Sequence, residues 1–179
     1  MTALSATELH RPFDIIALPE GGRVIDITAG EGERQAIAAR LGLLAIHAFS
    51  VHGRLDPVRR GHSAVFSGRL AATVVQECIV TGEPVDASID EEFSVRLLTE
   101  SEAEARDELE IAADEDDVEV AEGGMVDLGD IAVQYLALSL DPYPRIPGAE
   151  APALPKDDGE EESIPSNPFA VLKKLKDKT

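Results

Sequence analysis

"HSAVFSGRLAATVVQECIV", residues 62–80, decides the fold class. It is rich in β-branched residues, alternates in part between apolar and polar positions, and runs into a glycine-bearing stretch at each end, so it reads as a long strand. Its neighbours read the same way. "LLAIHAFSVHGRL" (43–55) precedes it and "PVDASIDEEFSVRLL" (84–98) follows, with Phe93, Val95 and Leu97 on one face. The three segments predict a meander of long antiparallel strands.

Upstream, "FDIIALPEGGRVIDITA" predicts two strands, near Phe13–Ala17 and Arg23–Thr28, closed into an N-terminal hairpin by Pro19, Gly21 and Gly22. The first dozen residues are expected to fray. Thr28 then stands as an N-cap with Glu31 three residues on, and "GERQAIAARLG" places Ile37 and Leu41 on one face of a short helix ended by Gly42. Farther along, "MVDLGDIAVQYLALSL" (125–140) predicts a second helix, capped by Asp127, with Leu128, Ile131, Tyr135 and Leu138 on one face.

Between these lies a block of a different kind. Residues 100–122 hold twelve acidic side chains and one basic one, Arg106. Such a block repels itself and buries little apolar surface, which predicts a mobile loop. The expected organisation is therefore a flexible N-terminus (1–12), a single α+β domain (13–149) with an acidic loop (100–122), a disordered linker (150–166) and a short basic amphipathic helix, "NPFAVLKKLK", within 167–179. The fold class is α+β: an antiparallel sheet, open or curled towards a barrel, packed with two main helices.

Charge restricts the function classes. The net charge is -19, and all five lysines lie at or after Lys156, so the domain carries positive charge on arginine alone. A chain this acidic repels phosphate polymers at long range, so any nucleic-acid contact must be local, and no DNA partner is expected. The one cysteine, Cys78, permits no intramolecular disulfide, which fits a reducing cytoplasm. No apolar run reaches the length that spans a bilayer, and no membrane partner is expected.

Few motifs carry chemistry. "RVIDITAGEGE" (23–33) runs strand, glycine turn, helix, as nucleotide and S-adenosylmethionine sites begin, but Gln35 stands where a third Gly or Ala belongs and the following elements look antiparallel. The alternative it supports is a small enzyme binding one of those ligands at residues 29–33. His10, His47, His52 and His62 form no zinc pattern with a lone cysteine, and His47 and His52 are expected on opposite faces of their strand. No serine sits in a nucleophile elbow. No catalytic residue, cofactor or metal site is assigned. One basic patch stands out in "HGRLDPVRRGH" (52–62), where Arg54, Arg59 and Arg60 are expected on a hairpin loop, with Arg69 on the next strand. This loop suits an RNA groove or an acidic surface, or else pairs with the chain's own acidic block.

"GRLAATVVQECIVTGEPVDASIDEEFSVRLL" (68–98), followed after the acidic block by "VDLGDIAVQYLALSLDPYPRIPGA" (126–149), resembles the YceD family of large ribosomal RNA subunit accumulation proteins. The resemblance rests on Gly68, Cys78, Thr81, Glu83, Pro84, Phe93, the run Asp127, Leu128, Gly129, Asp130, and the corner Asp141, Pro142, Tyr143, Pro144, Arg145. Many members carry a second cysteine where this chain has Thr81, so the resemblance implies no metal or dithiol here and a buried, inert Cys78. It implies a bacterial, non-enzymatic factor needed for 23S ribosomal RNA accumulation and large-subunit assembly. Its expected partners are basic ribosomal proteins or assembly factors, with 23S ribosomal RNA itself as the other candidate.

The corner "LDPYPR" (140–145) is read first as a clamp: two prolines fix the turn, Tyr143 packs, and Arg145 forks onto Asp141 or Asp127. Read second, it is a partner surface. Arg54, Arg59, Arg60, Arg69 and Arg145 are the candidate binding residues.

Overall fold

The computed structural model describes residues 8–59, 61–107 and 117–149. In chain order the elements are β1 (Pro12–Asp14), β2 (Arg23–Thr28), α1 (Glu31–Leu41), β3 (Ala45–Arg59), β4 (Ser63–Glu77), β5 (Pro84–Thr99), α2 (Glu100–Asp107), β6 (Asp117–Ala121), β7 (Met125–Asp127) and α3 (Leu128–Ser139). Strands β2 to β6 form one five-stranded sheet in sequence order, while β1 pairs with β7 in a separate ribbon. The large sheet is antiparallel except at its last pair, where β6 runs parallel to β5. Among the described residues no strand joins β2 to β6, so the sheet is open rather than closed into a barrel.

The three long strands follow the expected meander, and Phe93, Val95 and Leu97 are all buried. Val51, Leu55, Phe66, Leu70, Val95 and Leu97 form one core with Ile37 of α1 and Leu128, Ile131, Ala132 and Leu136 of α3. Phe66 meets Phe93 edge-on at 5.0 Å between ring centroids, and Phe93 meets Tyr135 at 4.9 Å. The edge-on contact suits the ring quadrupoles. Tyr135 keeps its hydroxyl wet and donates to the Asp117 carboxylate at 2.7 Å.

Glycine explains one feature of the sheet. Gly53 and Gly68 are register partners on β3 and β4, and Phe93 is the next residue across on β5. A Cβ at 68 would lie 2.7 Å from the Gly53 Cα and 2.7 Å from the His52 carbonyl oxygen. The two strands therefore approach more closely here than side chains permit.

Several expectations are corrected. Phe13 and Arg23 do not start a hairpin: β1 pairs with β7, Phe13 opposite Val126, and β2 pairs with β3. Of the expected flexible N-terminus, residues 1–7 lie outside the described residues, and residues 8–12 pack against the domain. Leu9 is fully buried, and Glu8 pairs with Arg40 at 2.8 Å. Thr28 ends β2 and caps nothing; Gly30 is the N-cap of α1, and Glu33 reaches back to its N–H at 2.7 Å. At the other end Gly42 adopts φ 68° and lets Leu43 N–H close on the Ala38 carbonyl at 2.9 Å. The acidic block is not one loop: it begins as α2 and ends as β6, a third helix and a fifth sheet strand. Residues 108–116 lie outside the described residues, as do the expected linker and basic helix after Ala149.

Helix α3 begins as expected. Asp127 accepts from Gly129 N–H at 3.0 Å and Asp130 N–H at 3.3 Å. Leu138, expected on the face of Leu128 and Ile131, is 76% exposed, because the buried face of α3 ends at Leu136.

Candidate functional site

The candidate arginines do not share a loop. β3 continues through Arg59, so Arg54 stands in mid-strand, opposite Ser67, and Arg69 stands opposite His52 on β4. Period-two alternation puts His52, Arg54, Ser67 and Arg69 on the face of the sheet away from α1 and α3. They border a shallow trough of about 520 Å³ with Val24, Gly53, Gly68, Glu92 and Phe93. Arg59 lies at the end of β3, Arg145 lies beyond α3, and Arg60 falls outside the described residues. Of the four described candidates, Arg54 and Arg69 line the same trough.

His52, Arg54, Arg59 and Arg69 each already have a carboxylate. Asp26, His52, Arg69 and Glu92 lie in one register row across β2 to β5. His52 pairs with Asp26, and Arg69 forks onto Asp90, with Nη2 to Oδ2 at 2.7 Å. The fork holds the Asp90 carboxyl below its usual range and raises the Arg69 guanidinium. Arg54 Nε donates to both Asp56 oxygens at 2.7 and 3.0 Å and its Nη2 to the Gly21 carbonyl. Arg59 donates to Glu102 on α2 at 3.0 Å, so the acidic block does pair with the arginine segment at that point. Exposed pairs of this kind contribute little to stability, but they cancel the positive field that RNA would need.

His47 and His52 are both exposed rather than on opposite faces. The register slips between Ile46 and Ala48, and the extra residue breaks the alternation that the spacing argument assumes. Among the described residues no group of three or more His, Cys, Asp or Glu side chains is placed to hold a metal ion.

The glycine turn at 29–33 is filled by the chain itself. Glu33 occupies Gly30 N–H at the start of α1, Arg11 forks onto Glu33 at 2.9 and 3.1 Å, and Arg34 donates to the Ala29 carbonyl at 2.7 Å. Glu33 is held below the usual carboxylate range, first by Arg11 and then by the Gly30 N–H. A ligand phosphate would meet this carboxylate and Glu31 where a nucleotide site offers bare amides. The antiparallel pairing of β2 with β3 also removes the βαβ unit such sites require.

The Cys78 turn is a structural hub. Cys78 is 2% exposed, and Cys78 N–H donates to the Glu83 carbonyl at 2.8 Å while Gly82 N–H returns to the Cys78 carbonyl at 2.9 Å. The Glu83 N–H donates to the Thr81 hydroxyl at 3.3 Å, leaving that hydroxyl's own proton for the sulfur. Thr81, then the N–H of Ile146, then the Thr81 and Val80 amides lower the Cys78 thiol to about 7, against the opposing effect of burial. The site is buried as expected, and polar groups surround its sulfur.

The corner after α3 docks on this turn. Gln76 Nε2 donates to the Asp141 carbonyl at 2.8 Å, and Ile79 N–H donates to the Pro144 carbonyl at 3.0 Å. Pro144 is buried, whereas Tyr143 is 68% exposed and does not pack. Arg145 forks onto neither expected carboxylate. Asp141 accepts Tyr143 N–H at 2.8 Å, and Asp127 serves α3, Arg11 N–H at 2.8 Å and His10 at 2.6 Å. The clamp is made by backbone and prolines, with the two large side chains left outside.

The family profile described as large ribosomal RNA subunit accumulation protein YceD matches residues 66–176, more than half of the chain. The chain belongs to the YceD family. No curated protein and no solved structure matches it. In this YceD chain Gly68 sits at the close strand approach, Cys78, Thr81, Glu83 and Pro84 build the β4–β5 turn, and Asp141, Pro142 and Pro144 form the corner docked on it. Asp127 caps α3, Leu128 is buried, and Gly129 makes room for the Leu9 backbone. Sequence reasoning missed Leu9, Asp26 and Asp90 as partners, since each acts on a residue distant in sequence and carries no local signal.

Proposed function

We propose that this chain is a non-enzymatic cytoplasmic factor that supports 23S ribosomal RNA accumulation and large-subunit assembly by holding a basic ribosomal or assembly protein on its acidic surface. Membership of the YceD family supports the large-subunit role. The observation that carries the mode of action is the internal use of the arginines. Arg54, Arg59 and Arg69 each face a carboxylate of the same chain, while Glu31, Glu77, Glu91, Glu92 and Glu122 remain exposed. A surface of this sign accelerates encounter with basic proteins and disfavours phosphate. Among the described residues no helix is long and apolar enough to cross a membrane.

The test is recovery of the tagged full chain from cells at low and high salt, with bound protein and RNA both quantified. Basic large-subunit proteins or assembly factors should co-purify without RNA and dissociate as salt rises. Recovery of 23S precursor that persists after protein stripping would overturn the protein-contact mode.

A further inference from the structure

Tyr143 is one of two tyrosines in a chain without tryptophan, and it is 68% exposed. Its backbone is fixed. The carbonyls of Asp141 and Pro144 accept from Gln76 and Ile79, the Asp141 carboxylate accepts Tyr143 N–H, and Pro144 is buried. The ring is thus held outward by a frame that makes no use of it. The Ile79 link brings a second apolar side chain to the corner, 49% exposed. Arg145 is exposed and has no hydrogen bond or ion pair among the described residues. Asp141, Glu77 and Glu83, all exposed, edge the same turn.

We infer that this corner is the anchor on which a basic protein segment docks, with a partner lysine or arginine seated on the Tyr143 ring and its alkyl stem against Ile79. The inference rests on the reading that the partner is a basic protein, and it names where that partner is gripped. The ring face attracts a cation, and the Asp141 carboxylate lies beside it on the Tyr143 backbone. Arg145 is left to fork onto a carbonyl or carboxylate of the same segment. Exposed Asp141, Glu77 and Glu83 outnumber Arg145 on this turn and corner, which disfavours an RNA phosphate here. Tyrosine and arginine are the side chains that dominate interface energetics, and a frame already rigid before binding lowers the ordering cost.

The test uses the full chain with the photocrosslinker p-benzoylphenylalanine at 143 and, as a control near the other end of the sheet, at the exposed Val24. In parallel, purified full chain is titrated with the total protein stripped from large ribosomal subunits. Position 143 should crosslink proteins identified as basic, above the level at 24. Tyr143→Ala should weaken binding about tenfold or more with an unchanged melting temperature, and Tyr143→Phe, which keeps the ring, should bind as the parent does. Crosslinks at 143 only to RNA, only to a second copy, or to nothing overturn the inference. Binding that survives Tyr143→Ala but falls when Glu91 and Glu92 are neutralised overturns the corner and leaves the proposed function standing. Absence of any binding to the stripped proteins overturns both.

Discussion

Gly129 lacks a side chain where Leu9 passes: a Cβ at 129 would overlap the Leu9 carbonyl oxygen and lie 2.8 Å from its carbonyl carbon. The opening turn of α3 and the buried N-terminal segment are therefore packed backbone to backbone. Gly129→Ala should force them apart, at about 2–3 kcal/mol, or about 5–10 °C in melting temperature. Thermal unfolding checks it, and an unchanged midpoint would mean that Leu9 is not held there.

Asp127 ties the same joint by polar contacts. It caps α3, accepts Arg11 N–H and pairs with His10. Asp127→Ala should cost about 1–2 kcal/mol in chemical denaturation, with Asp127→Asn, which keeps an acceptor oxygen, costing less. Equal losses for the two variants would argue that the charge, not the cap, is what matters.

These two residues also show what the sequence discloses and what it conceals. Asp127 is legible because a cap acts within three residues of itself, and Gly42 for the same reason. The alternation of Phe93, Val95 and Leu97 likewise reports burial directly. Gly129 is legible only as a glycine, because the Leu9 carbonyl that requires it lies 120 positions away. The N-terminal hairpin failed on the same ground: Pro19, Gly21 and Gly22 signal a turn, but nothing local says that β1 continues to β7. In the acidic block no local pattern announces β6, since Val118 and Val120 are exposed and Glu119 between them is half-buried; pairing with β5 makes the strand. At the candidate site, Gly53 and Pro57 read as loop residues, whereas Gly53 serves a close strand approach and Pro57 stands next to a register slip. The arginines were legible as a patch. The pairing of Arg59 with the acidic block, through Glu102, was legible as one of the alternatives; the neutralisation of Arg54 by Asp56 and of Arg69 by Asp90 was not, because it depends on where each side chain falls in the strand register.

Cys78 supplies a pH signature. Its folded pKa, about 7, lies below that of an unfolded thiol, so the fold favours the thiolate. The resulting stability is fully present above the unfolded thiol pKa, about 8.5, and is lost as pH falls through about 7. The stability difference between the parent and Cys78→Ala should therefore grow between about pH 6 and about pH 9. A pH-independent difference would contradict the Thr81 and backbone contacts to sulfur.

Glu119 has the opposite sign. Burial first, and the charge of Asp130 second, raise its pKa, so the fold favours the protonated acid. That contribution is present below the unfolded carboxylate pKa and lost as pH rises through the folded value. Glu119→Gln should stabilise the protein at neutral pH and make no difference in acid. Denaturation at the two pH values checks it, and destabilisation at neutral pH would show that Glu119 has a favourable partner.

Protein contact is the proposed mode of this YceD chain because Arg54, Arg59 and Arg69 are used internally. The most direct measurement is equilibrium binding of the purified full chain to protein-free 23S ribosomal RNA and, separately, to the stripped proteins of the large subunit, across a salt series. Binding to the proteins should be salt-sensitive, and RNA binding should be no tighter than the non-specific range of about 10⁻⁴–10⁻⁶ M and unchanged by Arg54→Ala with Arg69→Ala. Tight RNA binding that weakens in that double variant would contradict it.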